Sequence, residues 1–416
     1  MNKRFNLNLP LFIYRKLKTN TDKSNISSRI IKIAKFSVFI GIFISLSAVS
    51  IGKGLQLSIN ETIYNITPDI SISSYENNNR GIASEIIKES EVIINEVNRL
   101  YPDIKLNFTL EKPSIITINN SIETLIFRGV KDGLNFKSFD QFIIEKLNDV
   151  PQSLNDVLIS KSLLEKLKIN VGDKIRLFFQ TNNYQKIPNI RNYTVYGVYE
   201  TDFPDFDSNY IIGNINSLQN LFKLSSKDFG AIELIVDDKQ SITSIKNNLL
   251  SKDIFINNNI SLLNAQEKYK NIFDWISIFD FNILIILVLM IVVAIISIII
   301  SMLTLIFERI KMIGILSSLG GDNKLLGKVF LYQGIDILIR GIIPGNVLFF
   351  IISYMQNNYK ILGLNPNDYY VDSVPFLIDI TYIISLNLFF VIIGIIILFA
   401  TFSSITRFVP KININT

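Results

Sequence analysis

Hydrophobic residues along this chain gather into four long runs, separated by one large and two small polar stretches. Phe281 to Phe307 and Ile380 to Thr406 contain no charged residue. Each exceeds the roughly 20 residues that cross a bilayer core as a helix. Val329 to Met355 is a third run, interrupted by Gln333, Asp336 and Arg340, and Phe36 to Ile51 is a shorter first run between Lys35 and Lys53. The pattern predicts four membrane helices, at 36–53, 280–307, 329–355 and 380–406, with a kink at Pro344-Gly345 in the third. The short first run also has the shape of a cleaved signal peptide, with Ala48 near its end. Against that, the preceding arm of residues 1–35 is long, and the helical pattern continues through Leu55, Leu57, Ile59 and Ile63. An uncleaved helix that runs on into a stalk fits both facts.

Residues 54–279 alternate between strand and helix periodicity. Asp69–Ser73, Ile104–Leu110 and Ser114–Ile118 read as strands and Ile82–Leu100 as a helix; later, Ala231–Val236 and Ile254–Ile260 read as strands around a helix at Ser241–Leu250. Two similar α/β pieces thus flank a middle section. In that section Val157–Ser160, Lys174–Gln180 and Asn192–Tyr199 read as strands, and the polar tip Thr181–Ile190 joins the last two. Such a tip is either a contact element or a solvated turn. The expected fold class is an α-helical membrane protein of four transmembrane helices with a large α+β extracytoplasmic domain between the first two.

Between the second and third runs lies a short basic segment, 308–328. Read as a helix, its Ile310, Met312, Ile313, Ile315, Leu316 and Leu319 form an apolar arc, while Lys311, Gly314 and Ser318 share a small, polar face. Gly320 and Gly321 stop it. By itself the segment reads equally as an ordinary loop.

Composition narrows the function. Basic residues crowd the amino-terminal arm (Lys3, Arg4, Arg15, Lys16, Lys18, Lys23, Arg29, Lys32 and Lys35) and recur at Arg309, Lys311, Lys324, Lys328, Arg407 and Lys411, whereas the link at 356–379 has only Lys360. The positive-inside rule then puts both termini in the cytoplasm and 54–279 outside, and it accounts for the net charge of +5 without nucleic acid. There is no cysteine and no histidine, so disulfides, thiolate chemistry and a histidine base are excluded. No phosphate-binding Gly-x-x-x-x-Gly-Lys-[Ser/Thr] motif occurs, so the chain is not its own P-loop ATPase. No catalytic residue, metal site or cofactor is expected. Asp336 and Arg340, at i and i+4 in the third run, are expected to pair with each other, with a proton or substrate relay as the alternative.

Several segments together resemble the type VII ABC-transporter permeases, which include the lipoprotein-releasing LolC/LolE family, the MacB-type permeases and FtsX. They are LFIYRKL and GIFISLSAVSIGKGLQLSI near the start, VLISKSLLEKLKINVGDKIRLFF and NYTVYGVYETDFPDFDSNYIIGNINSLQNLF in the middle, and ERIKMIGILSSLGG and LNPNDYYVDSVP near the end. GDKIRL, YTVYGVYETDFPDFD and the last loop resemble the lipoprotein-releasing branch more than FtsX.

The resemblance implies a periplasmic domain at 54–279. Its porter part would occupy about 60–130 and 228–265 and an inserted sabre-like part about 131–227. It implies a cytoplasmic, LolD-like ATPase as partner, which binds the ATP and Mg, together with a second permease copy or paralogue, a LolA-like periplasmic carrier, lipoprotein substrates and membrane lipids. The ATPase-coupling region is expected at Glu308, Arg309, Lys311, Ile313, Gly314, Leu316, Leu319 and Gly320. Ser317 departs from the basic residue common there. Phe39, Phe43, Leu46, Ile283 and Leu287 are candidates to contact acyl chains. Asn183, Tyr184, Lys186 and Pro188 are candidates to contact the carrier. The expected activity is extraction of lipoproteins from the inner membrane by a non-catalytic subunit. The alternative is an FtsX-like or MacB-like mechanotransmitting permease that acts on cell-wall hydrolases or exports small molecules or peptides.

Overall fold

The structure, a computed structural model, describes residues 9–19, 26–79, 81–118, 121–131, 139–148, 151–180, 188–236, 238, 241–257, 259–308, 310–318 and 323–408. The chain divides into a helical unit (Met1–Gln56, Ile276–Gly363 and Ser373–Thr416) and a sheet unit (Leu57–Trp275 with Leu364–Asp372).

Among the described residues, four helices are long and apolar enough to cross a membrane, over Arg29–Ile66, Lys270–Glu308, Gly327–Tyr359 and Ile380–Thr401. They lie in continuous helices Ile26–Ile66, Lys270–Glu308, Asn323–Tyr359 and Ile380–Phe408, here called the first to fourth spans. The first and second spans outrun their apolar stretches, because helical hydrogen bonding does not stop where hydrophobicity does. Pro344 sits inside the third span, and the predicted kink does not interrupt that helix.

Small residues let these helices approach. A Cβ on Gly341 would lie 2.6 Å from Val38, and one on Gly345 3.0 Å from Ile42 Cγ2, so the spacing Gly341-x-x-x-Gly345 seats the third span on the first. Gly394 of the fourth span receives Leu338 in the same way. One apolar core joins Val38, Met302, Leu305, Phe330, Ile337 and Leu398, and a second joins Ile42, Leu46, Ala294, Phe349, Phe376 and Phe390. The second span contributes a single stripe, Ala294, Ile298, Ser301, Met302 and Leu305, at helical spacing. Its Leu284, Val288, Leu289, Val292, Ile296 and Ile300 are exposed.

The sheet unit has ten strands: β1 (Ile70–Ser74), β2 (Lys105–Ile118), β3 (Ser121–Val130), β4 (Ile143–Lys146), β5 (Asp156–Ser160), β6 (Lys174–Phe179), β7 (Asn189–Tyr199), β8 (Tyr210–Asn214), β9 (Ala231–Ile235) and β10 (Ile260–Asn264). Their order is β10-β1-β9-β2-β3-β8-β5-β7-β4, and β6 pairs both β2 and β7. At one end, β1 and β2 are joined through the helix Ser90–Leu100, and β9 and β10 through Ile242–Leu250. The order β10-β1-β9-β2 interleaves these pieces as two split β-α-β units. At the other end, β2-β3-β8-β5-β7-β6 close into a ring. Alternating residues such as Ile175, Leu177 and Phe179 fill its core with Phe127 and Tyr193, whose rings are 4.9 Å apart.

Several expectations change. Instead of two strands, 105–118 is one, because Pro113 falls between the stretch that β9 pairs (105–109) and the stretch that β6 pairs (114–116). No ladder N–H is required there on the flank away from β3. The helix expected from Ile82 starts only at Ser90. Residues 82–87 form an extended strap instead: Ala83 exchanges backbone and side-chain hydrogen bonds with Glu111, and Ile87 N–H donates to Phe229 O. The strand expected at 254–260 is a short helix, Asp253–Asn257, that buries Phe255, and β10 begins at Ile260. Finally, no gap in the ladder falls at the expected subdomain boundary at 130/131, since β2 pairs β9 of the interleaved end and also β3 and β6 of the ring.

Candidate functional site

The segment that the sequence marks as a docking candidate is the helix Ile310–Ser318. Its apolar arc is split. Ile313 is 3% exposed and packs into the core with Met302, Leu305 and Phe330, whereas Ile315 is 62% exposed. Lys311 and Glu308 are exposed, and a side chain built on Gly314 would meet open space. The outward surface is therefore Lys311, Gly314 and Ile315, while Ile313 is structural. Arg309, Leu319 and Gly320 lie outside the described residues, as does the side chain of Leu316.

The five candidates for acyl contact do not form one surface. Leu46 is buried among Phe349, Phe376 and Phe390, with Phe43 packed beside it. Ile283 fills the notch at Gly52, where an added Cβ would overlap its Cγ1 at 2.9 Å. Phe39 and Leu287 are half-buried. The exposed face of the second span is instead the row from Leu284 to Ile300.

Some polar groups within the spans are partnered, whereas the hydroxyls of Ser45, Ser301 and Ser353 and Oε1 of Gln333 are buried without a hydrogen-bond partner among the described residues. Arg340 Nε donates to Asp336 Oδ1 at 2.8 Å, and Lys35 Nζ donates to the other oxygen, Oδ2, at 2.8 Å. Asp336 thus bridges two cations from two helices, a role that pairing Arg340 alone with it did not anticipate. Asn346 and Asn387 exchange side-chain amide hydrogen bonds of 2.7 and 2.9 Å between the third and fourth spans. Farther along, Lys53 Nζ donates to Asp280 Oδ1 at 2.6 Å and Gln56 Nε2 to the same oxygen at 3.0 Å.

In the sheet unit a buried charge cluster stands beside a cleft of about 280 Å³ whose lining includes Arg128, Glu233, Tyr64 and Phe139. Arg128 donates to Glu111 at 2.7 Å and to Glu233 at 2.6 Å, and Asn107 donates to Glu233 at 2.8 Å. Burial pushes the Glu111 carboxyl up, but Arg128 and Lys268 outweigh it and hold it below its ordinary value. The same carboxylates hold the Arg128 guanidinium charged despite its burial.

The segments YTVYGVYETDFPDFD and LNPNDYYVDSVP meet in this unit. Tyr370, from the loop between the third and fourth spans, stacks on Phe203 and donates its hydroxyl to Asp205 Oδ2 at 3.2 Å. Phe203 stands edge-on to Tyr269, and Trp275 edge-on to Tyr370. The turn that presents Phe203 is tied by Asp207, which accepts from Thr201 N at 3.0 Å and Thr201 Oγ1 at 2.7 Å. Burial pushes Asp207 up to about 6, against the pull of those hydrogen bonds. Around an adjoining cleft of about 410 Å³ lie Phe203, Asp205, Tyr210, Lys268 and Ser73.

Of the hairpin tip, Asn183, Tyr184 and Lys186 lie outside the described residues, and Pro188 is exposed. At its base, register aligns Ile115, Phe178 and Ile190 across β2, β6 and β7. Ile115 and Ile190 are exposed there.

With this geometry in place, comparisons with known proteins are decisive. The MacB-like periplasmic core domain family matches residues 33–251, more than half of the chain, and the FtsX-like permease C-terminal family matches 284–410. The chain belongs to the MacB- and FtsX-like type VII ABC permeases. Within this group it is similar to LolC and LolE. The lipoprotein-releasing system transmembrane protein LolC of Haemophilus influenzae is 21% identical over 391 residues, 92% of this chain and 93% of that protein. Its LolE is 20% identical over 397 residues, 89% and 90% of the two chains. The crystal structure of the periplasmic region of MacB from Actinobacillus actinomycetemcomitans aligns at 18% identity and a TM-score of 0.33, covering 51% of this chain and 97% of that one. This permease is accordingly a multi-pass membrane protein whose sheet unit is a periplasmic core domain.

Proposed function

We propose that this permease is the transmembrane subunit of an ATP-driven complex that extracts lipoproteins from the inner membrane and hands them to a periplasmic carrier. The observation that carries this reading is the extent of the match to LolC and LolE, 92% and 89% of the chain, across spans and periplasmic unit together. Lipid anchors are held by about 0.8 kcal/mol per buried methylene, so removing an acylated protein requires coupled work. A separate ATPase, which binds ATP and Mg, supplies that work and docks at Lys311, Gly314 and Ile315. The exposed face of the second span meets a second permease copy or a paralogue and the acyl chains between them. The hairpin tip at 181–190, with Ile190 and Phe178 at its base, receives the carrier.

Depletion of the permease in cells tests the reading. Lipoproteins destined for another membrane should accumulate in the inner membrane. Normal lipoprotein sorting with a wall or division defect would replace this function with an FtsX-like one, and drug sensitivity alone would replace it with MacB-like export.

A further inference from the structure

The cluster at Lys35, Asp336 and Arg340 carries more charge than its own pairing needs. Asp336 has two oxygens, and each accepts one cation, Lys35 on Oδ2 and Arg340 on Oδ1. Among the described residues these two cations share one carboxylate, which leaves a surplus of +1. Only Nε of Arg340 is engaged; among the described residues neither of its two terminal nitrogens has a protein partner, and its side chain is 53% exposed. Lys35 is the last charged residue before the apolar run Phe36 to Ile51, so its contact with Asp336 sets the cluster at one boundary of the hydrocarbon. Arg340 lies one turn beyond Asp336 on the third span and bends back toward it. Its guanidinium edge therefore opens at headgroup depth.

The flanks are those of a lipid site. Ile339, Ile343 and Val347 are exposed along the third span beside and beyond Arg340, and Phe36 is exposed beside Lys35. Gly341 allows the close approach that joins the two helices, since its added Cβ would stand 3.0 Å from the carbonyl oxygen of Lys35. A positive surplus between two membrane helices, at interface depth and bordered by apolar side chains, matches a phosphate carrying acyl chains. The guanidinium presents paired N–H donors that suit phosphate oxygens. We propose that Arg340 and Lys35, held apart on the two oxygens of Asp336, bind the headgroup phosphate of an anionic phospholipid in the leaflet at the amino-terminal end of the first span. A zwitterionic lipid would bring its own cation against the surplus and bind less well.

The test uses the full-length chain in nanodiscs of equal phosphatidylglycerol and phosphatidylcholine, followed by native mass spectrometry of retained lipid. Phosphatidylglycerol should be retained in preference, and Arg340→Gln or Lys35→Gln should each lower that preference about fivefold. Arg340→Lys, which keeps the charge, should retain most of it. Millimolar inorganic phosphate should leave the bound lipid in place. Equal retention of the two lipids by the unmodified chain overturns the proposal. So does undiminished preference in both glutamine variants, and so does displacement by inorganic phosphate, which would mark a soluble-anion site. Should Arg340→Gln fail to insert, Lys35→Gln decides the matter from the other helix.

Discussion

The ring of Tyr370 lies on that of Phe203 with centroids 5.3 Å apart and planes 28° from parallel, and its hydroxyl reaches Asp205. Residues 364–372 therefore belong to the sheet unit, although the chain on both sides of them belongs to the helical unit. The loop is thus a further covalent connection between the two units, besides the first two spans. Tyr370→Phe should weaken the loop's attachment by about 1 kcal/mol through the lost hydrogen bond. Tyr370→Ala should cost about 0.5–1.5 kcal/mol more through the lost stack. Trp275, the chain's sole tryptophan, sits 6.1 Å from Tyr370 and reports the change. Its emission should shift to the red in Tyr370→Ala, and an unaltered spectrum would contradict the docked loop.

Ile313 and Ile315 are two residues apart, yet the first is buried in the core and the second is exposed on the proposed docking surface. Ile315→Asp should leave the permease inserted and monodisperse while abolishing co-purification of the proposed ATPase partner. Ile313→Asp should lower the yield of folded protein, because it places a carboxylate in the core with Met302 and Phe330. The stoichiometry of ATPase to permease after affinity purification measures the first effect. A normal ratio in Ile315→Asp would move the docking surface elsewhere.

Arg128 neutralises two carboxylates inside the sheet unit. Arg128→Met should destabilise that unit by about 3–5 kcal/mol, since Glu111 and Glu233 would be left facing each other without a cation. Thermal unfolding followed through Trp275 should show the loss. Glu233→Gln, which keeps an acceptor for Asn107 and Thr109 and leaves Arg128 with Glu111, should cost less.

Asp207 and Glu111 respond to pH in opposite senses. Asp207 is protonated more readily in the folded chain, at about 6 against an ordinary 3.8, so charging it costs stability as pH rises between those values. That cost is fully present above about 6. Glu111 is held below its ordinary 4.5, so its contribution is present above that value and is lost as pH falls through its lower folded value. Asp207→Asn imitates the neutral acid and should raise the melting temperature at pH 8 by several degrees. It should also flatten the melting profile between about pH 4 and 6. An unchanged profile would mean that Asp207 is solvated in the folded chain.

How far the structure was legible in the sequence follows from what each part depends on. The second and fourth spans could be read because hydrophobic length alone defines them. The two β-α-β pieces were visible in their periodicity, but their interleaving rests on pairings such as Ile70 with Asn264, which no local pattern encodes. β3 and β8 escaped notice because Gly129, Gly213 and Arg128 interrupt their apolar runs. The ring then makes use of those interruptions, since Phe127 occupies the space over Gly213. On the helix Ile310–Ser318 the sequence places Ile313 and Ile315 in one apolar arc, and only packing tells the buried residue from the exposed one. Lys35 looked like the flank of a span, and its link to Asp336 needed two helices brought together by Gly341 and Gly345. The Gly-x-x-x-Gly spacing was the available signal. Charged residues within strands, Glu111, Arg128 and Glu233, were the signal for the buried cluster.

The place of β1 in the sheet bears on how the protein is made. Its hydrogen-bonding neighbours are β9 and β10, at residues 231–235 and 260–264, so the first strand to emerge during synthesis must wait for the last two. Meanwhile Ile70 and Ile72, destined for the core, have neither edge paired. The ring strands arrive in between and can close on themselves, whereas the β10-β1-β9-β2 end is completed only when residues 260–264 emerge. Export is thus obliged to hold an open, adhesive strand for most of the unit's length. A dependence on extracytoplasmic folding helpers during biogenesis is the consequence.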